Sequence, residues 1–467
     1  MLAAPGTLEI VGASLFGLAV LHTFAAKYFE ELAHTRKAHA GLFHLLGEVE
    51  AVFGFWAFVL LAFMAVALGW GEASAYLDRQ QFVEPMFVFV IMVIAASRPV
   101  MQFASDLVEG TARALPVRGA VAVYFLCLAL VPLLGSFITE PAAMTLAALM
   151  LRDRVFAADI PSRVKYATLA VLFVNVSIGG TLTNFAAPPV LMVAAKWEWT
   201  SSFMLATFGA KATLAVLINA TAVTLLFGKH LPDGSSVKGA AGARVPPFFV
   251  MLNLLLLAGV VFTNHQPEAF MGVFLLFLGL AEAYRRHHDR LILREGLMVA
   301  FFLAGLVVLG GMQGWWLQGL LSRMSETGLY YGATALTAIT DNAALTYLGS
   351  LVEGLSDEAK YSLVAGAVTG GGLTVIANAP NPAGFAILKD KFEDQAISAV
   401  GLFVAALPPT LVAIACFRGL GGNAFDFVDL ASWQAWLESL DPAFAFLLIL
   451  PFVVGAVGLW AEFRKKD

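Results

Sequence analysis

Two carboxylates lie in strongly apolar parts of the chain, each inside the same short phrase. Ile138-Thr139-Glu140-Pro141-Ala142-Ala143-Met144-Thr145 and Ile339-Thr340-Asp341-Asn342-Ala343-Ala344-Leu345-Thr346 agree at five of eight positions, 201 residues apart, and both keep an acid. A charge at bilayer depth costs about 2.5–3.5 kcal/mol on insertion scales, so an acid kept there points to ion or proton chemistry. Loss of water favours the neutral form of such a group, whereas a helix N-terminus or a bound cation favours the charged form. One carboxylate can therefore hold either a proton or a metal ion, and competition between them gives exchange. The plainer alternative is structural: Glu140 and Asp341 cap helices or pair with a base. Thr139 and Thr340 stand where an N-cap belongs, and Pro141 occupies an early helical position where its missing N–H costs little.

A second echo follows each acid. Gly179-Gly180-Thr181-Leu182-Thr183-Asn184-Phe185-Ala186-Ala187-Pro188-Pro189 and Gly370-Gly371-Gly372-Leu373-Thr374-Val375-Ile376-Ala377-Asn378-Ala379-Pro380 agree at six of eleven positions, 191 residues apart. Glycine and proline weaken helical hydrogen bonding. In a membrane, backbone freed this way is tolerated only where protein or water covers it. The pattern predicts a discontinuous helix in each of 165–195 and 361–388, broken around Gly179, Gly180 and Pro189 and around Gly370, Gly371, Gly372 and Pro380. Freed carbonyls there can coordinate a cation, and half-helix N-termini offer positive dipole ends. Thr139, Thr340, Thr183 and Thr374 are candidate hydroxyl ligands, or bond their own helix carbonyls. Asn342, Asn378 and Asn381 are amides in apolar sequence and need partners; a coordinating or supporting role accounts for them, and Asn184 is similar. Sodium, a hard cation, suits such oxygens, so the expected sodium site centres on Asp341, Asn342 and Glu140.

Composition sets these residues in a membrane. Of 467 residues, 60% are hydrophobic and 13% charged, against about 25% charged in soluble proteins. The net charge of −5 says nothing about nucleic acid, because the charges sit in loops and no long basic run exists, and no nucleic-acid partner is expected. Cys127 and Cys416, without CxxC or His spacing, read as core residues. No cofactor is expected, because sodium and protons are cargo. A basic n-region and a convincing cleavage site are missing from the N-terminus, so the first span is expected to be retained.

A span needs about 20 mostly apolar residues. Such stretches lie near 8–27, 45–69, 82–103, 165–195, 203–228, 246–264, 268–285, 295–321, 361–388, 396–417 and 441–461. Regions 119–151 and 329–354 are instead apolar on both sides of a polar apex. The arms of the second are too short to cross, so both read as re-entrant hairpins. Cytoplasmic loops carry the excess of Lys and Arg. With the N-terminus outside and the C-terminus cytoplasmic, every basic cluster falls inside, including Arg285-Arg286-His287-His288-Asp289-Arg290. The expected fold is all-α and polytopic, an inverted repeat with two hairpins, two discontinuous helices and about 11 spanning helices. Its parts are 1–44 (N-terminal span and loop), 45–228 (first repeat), 229–267 (linker and span), 268–420 (second repeat) and 421–467 (C-terminal span).

Other intramembrane polar residues have milder readings. Glu48 and Glu50, with His44 a turn earlier, are expected to be solvated at a cytoplasmic helix end. Arg98 snorkels or pairs with Glu50 or Asp106. Asn175 and Ser177 could line the same cavity as the first Gly-Gly pair. Asn219 and Glu282 are expected to bond neighbouring helices. Trp315-Trp316 and Trp433/Trp436 look like interface belts.

With both motif pairs in hand, the chain resembles the ion transporter superfamily, most closely sodium/proton antiporters of the NhaD-like kind, with arsenite permeases and citrate or dicarboxylate carriers as more distant relatives. In NhaD-like and arsenite-type relatives the repeated loop reads much like Gly-Gly-Asn-Leu-Thr-x-Ile-Gly-x-x-Ala-Asn. Gly370–Asn381 matches it well, and Thr340-Asp341-Asn342 resembles the antiporter Asp-Asn. The first copy departs, with Thr181 in place of Asn and Val190 at the last Asn position. Glu140-Pro141 is less typical. The resemblance implies a homodimer in a bacterial-type inner membrane, with a scaffold at the contact and a mobile part that moves like an elevator.

The leading function is exchange of sodium, or lithium, for protons. The alternative is a proton- or sodium-coupled carrier of a small anion or oxyacid such as a dicarboxylate, citrate or arsenite; Glu140 and Asp341 would repel the carboxylate of an organic anion, an argument that does not touch a neutral oxyacid such as arsenite. An intramembrane enzyme is disfavoured by the lack of HExxH, GxSxG or a catalytic Asp pair.

Overall fold

The computed structural model describes residues 6–158, 160–231 and 244–419. Among these residues the regular structure is all helical. The chain opens with α1 (Thr7–Thr35), α2 (Ala40–Gly47), α3 (Val49–Ala67) and α4 (Trp70–Asp78). Next, α5 (Val83–Ala95) and α6 (Arg98–Ala114) meet at 64°. Ser97 and Pro99 mark this bend, and α6 carries Asp106, Glu109 and Arg113 on a polar face. The segment expected as one span at 82–103 is therefore two helices.

The first motif pair occupies α7 (Gly119–Leu128), α8 (Leu130–Ile138), α9 (Glu140–Arg154), α10 (Ser162–Gly179) and α11 (Pro188–Ala194). Between α10 and α11 the chain makes a 3-10 turn, Gly180–Leu182, and then an extended stretch. α12 (Ser201–Met204) leads through a π-turn, Leu205–Gly209, into α13 (Ala210–Phe227). α14 (Pro247–Phe262), α15 (Pro267–Ala283), α16 (Leu293–Gly310) and α17 (Gly314–Leu321) follow. The second motif pair occupies α18 (Glu326–Thr337), α19 (Asn342–Ser350), α20 (Asp357–Gly370) and α21 (Asn381–Leu388), and α22 (Ala399–Gly419) closes the described chain. Ser325 and Ser356 cap α18 and α20 through their hydroxyls, satisfying N–H groups a helix start leaves free.

Among the described residues six helices are long and apolar enough to cross a bilayer, and up to eight if the bent pairs α5–α6 and α7–α8 each count as one. Fewer are found than the eleven expected. α14 and α15 are 16 and 17 residues long, and the 361–388 segment is split into two short helices. The expected span at 441–461, with its part 421–467 and the tryptophans Trp433 and Trp436, lies outside the described residues.

Two packing groups emerge. α3 lies against α1, α4 and α16, and α16 against α5. Tyr76 of α4 donates to Val308 O of α16 at 2.5 Å. In the other group α10 is central, buried on every side from Thr168 to Gly179, as expected of a helix apolar all round. α8, α9, α13, α20 and α22 surround it. Two contacts between the motif pairs mirror each other: α11 packs on α19, and α21 packs on α9.

Candidate functional site

Each acid reaches the start of a short helix by its own local route. α8 ends at Ile138 and α9 begins at Glu140, so Thr139 alone makes the turn. Its φ is 74°, left-handed backbone that costs a non-glycine residue about 1–3 kcal/mol and clusters at functional sites. Thr139 holds the N-cap position without a capping hydrogen bond, and Pro141 follows in the first turn. In the second copy the N-cap is Asp341, one residue beyond the expected Thr340. Its Oδ1 accepts the N–H of Ala343 at 2.8 Å and of Ala344 at 3.2 Å. A carboxylate outcompetes a hydroxyl for helix-start donors, because the bonds are charge-assisted and the dipole favours it. Thr340 donates to Leu336 O at 2.9 Å instead.

Glu140 is 0% exposed. Its Oε2 accepts Nδ2 of Asn378 at 2.9 Å, a partner 238 residues away, and its Oε1 has no hydrogen-bond partner. Among the described residues no basic side chain pairs with it. Ala379, the next residue after Asn378, turns its N–H to the Asp341 carboxyl. The two carboxylates lie within electrostatic range of each other. One stretch of the second break, 378–379, thus bonds Glu140 and lies beside Asp341. Packing of α21 on α9 delivers it there.

The glycines allow these approaches. A Cβ on Gly180 would fall on Oε1, Cγ and Cδ of Glu140. One on Gly371 would fall on Ser177 Oγ and lie 2.8 Å from Asn342 Nδ2. Gly179 O accepts Ser136 Oγ at 2.7 Å. Gly370 lies against Thr334 and Thr337, and Gly372 against Val174. Pro188 and Pro189 open α11, and Pro380 precedes α21.

The amides divide into two kinds. Asn342, Asn378 and Asn381 are buried, and the Oδ1 of each lacks a partner, as does Asn342 Nδ2. Asn381 Nδ2 donates to Gly371 O and Thr374 O, both at 2.8 Å, which fastens the second break. Asn184 is committed elsewhere: it donates to Trp199 O at 2.9 Å and accepts from Ser201 Oγ at 2.7 Å. Thr183 and Thr374 hold the breaks to the apices, donating to Ser136 O at 2.6 Å and Ala338 O at 2.9 Å. Thr139 Oγ1 is buried without a partner. Among the described residues no group of three His, Cys, Asp or Glu is placed to hold a metal ion; a cation here would take mixed carboxylate, amide and hydroxyl oxygens.

Three contributors escape motif reading. Ser136 clasps the first break, donating to Gly179 O and accepting Leu182 N–H at 2.9 Å. Thr337 is fully buried with an unpartnered hydroxyl. It stands 201 residues after Ser136, so the offset that pairs the acids would have paired these two. Glu50, at the start of α3, has its charge within reach of Asp341, and no spacing links them. Ser177 donates to Val368 O at 2.7 Å and ties α10 to α20. Asn219 bonds Asn175 at 2.9 Å and Pro409 O at 3.2 Å. Glu282 pairs with Arg285 of the following turn rather than with a neighbouring helix. Arg98 pairs with Asp289 at 3.4 Å, and Asp106 takes Arg244 at 2.7 Å.

Among known protein families, the model of the one described as "Putative Na+/H+ antiporter" matches residues 7–420. No curated protein matches the chain.

Proposed function

The chain belongs to this Na+/H+ antiporter family, and on that premise we propose that it exchanges sodium, or lithium, for protons, which compete for Glu140 and Asp341. The observation that carries this reading is Glu140 itself. It is shut off from water, held on one oxygen by Asn378, and free on the other. An unpaired charge in such surroundings is expensive, so the carboxyl holds either a proton or a cation. When sodium arrives the proton leaves to water, and one positive charge replaces another. Glu140 Oε1, the free amide oxygens of Asn378, Asn381 and Asn342, and the hydroxyls of Thr139 and Thr337 supply hard oxygen donors. Asp341 is the second carboxylate, with Ala343, Ala344 and Ala379 N–H groups facing it.

The halves act as inverted repeats whose apices meet near the midplane of a bacterial-type inner membrane, N-terminus outside and C-terminus cytoplasmic. The reciprocal packing of α11 on α19 and α21 on α9 supports this symmetry. The group around α10 moves as an elevator against the scaffold of α1, α3, α5 and α16 in a homodimer. A carrier of small anions fits less well, because the substrate would meet Glu140 with no base beside it.

The test uses purified protein in proteoliposomes with an imposed pH gradient. Sodium or lithium should dissipate the gradient and potassium should not. Gradient-driven citrate or succinate uptake without sodium flux would overturn the proposal.

A further inference from the structure

Among the described acids and bases of the Asp, Glu, Lys and Arg types, only Glu140 and Lys211 are buried. Lys211 is 8% exposed, in the apolar Ser201–His230 stretch that can span a membrane. It stands two residues after the π-turn Leu205–Gly209, and such turns recur at functional sites. Its Nζ donates to Tyr361 Oη at 3.0 Å and sits 4.4 Å from the centroid of that ring. Tyr361 Oη in turn donates to Phe417 O at 2.7 Å. Phe208 packs on Tyr361 with centroids 5.0 Å apart and closes the site on the apolar side. An amine, a phenol and a carbonyl therefore join α13, α20 and α22.

No carboxylate among the described residues pairs with Lys211. An ammonium has three donors, and here one is used. Loss of water opposes the charged form, while the phenol oxygen and the ring face support it. A neutral amine would satisfy the same bond to Tyr361. The other titratable groups bordering Tyr361 are Tyr330 of α18 and Cys416 and Arg418 of α22. Arg418 is engaged with Thr327 at 2.8 Å and lies over the Tyr330 ring.

We propose that Lys211 is a second proton-binding site of the transporter, distinct from the carboxylates, and that its proton load sets the junction of α13, α20 and α22. Deprotonation moves the Nζ proton to water and leaves a neutral amine; no other bond changes. The junction matters because α20 runs directly into the Gly370-Gly371 break, so its setting governs when the carboxylate site works. This control over transport rests on the antiporter reading, but the proton site does not.

Two measurements test it. In nanodiscs, the 13Cε resonance of selectively labelled lysine that disappears in Lys211→Met should titrate between about pH 6 and pH 10. A Lys211 charged throughout that range overturns the proposal, whatever the protein transports. In proteoliposomes, Lys211→Met should shift the pH profile of sodium-dependent exchange by about one unit, tenfold in proton activity. Lys211→Arg, fixed in the charged form, should shift it the opposite way. Equal losses at every pH in both variants, or a wild-type profile in both, would reduce Lys211 to a packing role. Failure of wild type to exchange sodium would sink the antiporter reading and leave the resonance to decide the proton site.

Discussion

Gly180→Ala is the sharpest perturbation of the carboxylate site, because it adds one methyl group and no charge. Its Cβ would occupy the space of Glu140 Oε1, Cγ and Cδ. The backbone of the break is fastened by Ser136, so the flexible Glu140 side chain is the part that moves. Moving it breaks the 2.9 Å bond from Asn378. A hydrogen bond to a charged group contributes about 1.5–3 kcal/mol, and a forced rotamer costs about 0.5–1.5 kcal/mol. The sum, roughly 2–4.5 kcal/mol, corresponds to sodium affinity weaker by on the order of 30- to 1,500-fold. The assay is the KM for sodium from pH-gradient dissipation, with thermal unfolding in detergent alongside. Gly228→Ala is the control, since nothing lies within 4 Å of its added Cβ. Asn378→Ala removes the same bond, so the double variant should cost less than the sum of the two singles. A Gly180→Ala KM within about threefold of wild type, with the fold intact, would refute the placing of sodium at Glu140.

Asp341→Asn keeps an N-cap as good as aspartate but loses the charge, so the protein should fold normally and lose coupled exchange. Asp341→Ala should lose exchange and also about 0.5–2 kcal/mol of stability, read as a lower unfolding temperature. Glu140→Gln retains an acceptor for Asn378 and should fold while failing to release protons when sodium is added, measured with a pH dye in detergent. Asn219→Ala leaves the amide oxygen of Asn175 without its partner in the core and removes the bond to Pro409 O. It should lower stability by about 1–3 kcal/mol and leave the sodium KM unchanged, a split that separates structural amides from those at the site.

Much of this site is legible in the sequence because the membrane makes polarity expensive. Glu140, Asp341, Asn342, Asn378 and Asn381 each stand out against apolar neighbours, and four of these five lie at the contacts described. Position in a helix is harder to read. Thr340 precedes a helical pattern as Thr139 does, yet the cap falls on Asp341, because the choice between neighbouring oxygens depends on charge. Asn184 has the same signal as Asn378, but the loop at 197–201 folds back and takes both ends of its amide. The bend at Ser97 is equally hidden: a hydrophobic run gives length, while direction follows from where Pro99 and the polar face of α6 come to rest. Lys211 is a single basic residue in an apolar run, and only tertiary structure supplies its phenol.

What no local pattern contains is the crossing of the halves. Repeat offsets pair Glu140 with Asp341 and one break with the other, whereas the contact that holds Glu140 runs from its own half to the opposite break. Reciprocal packing of α21 on α9 and α11 on α19 produces it. Because Asn378 and Ala379 are consecutive, the donor at Glu140 and the donor at Asp341 sit on one short piece of backbone. Movement of that backbone bears on the surroundings of both carboxylates. The two acids should therefore titrate as a pair, with apparent values belonging to neither alone. Neutralising either acid should move the pH dependence of proton release from the survivor. Independent behaviour, with each single variant removing one proton and leaving the other's titration unmoved, would show that 378–379 does not couple them.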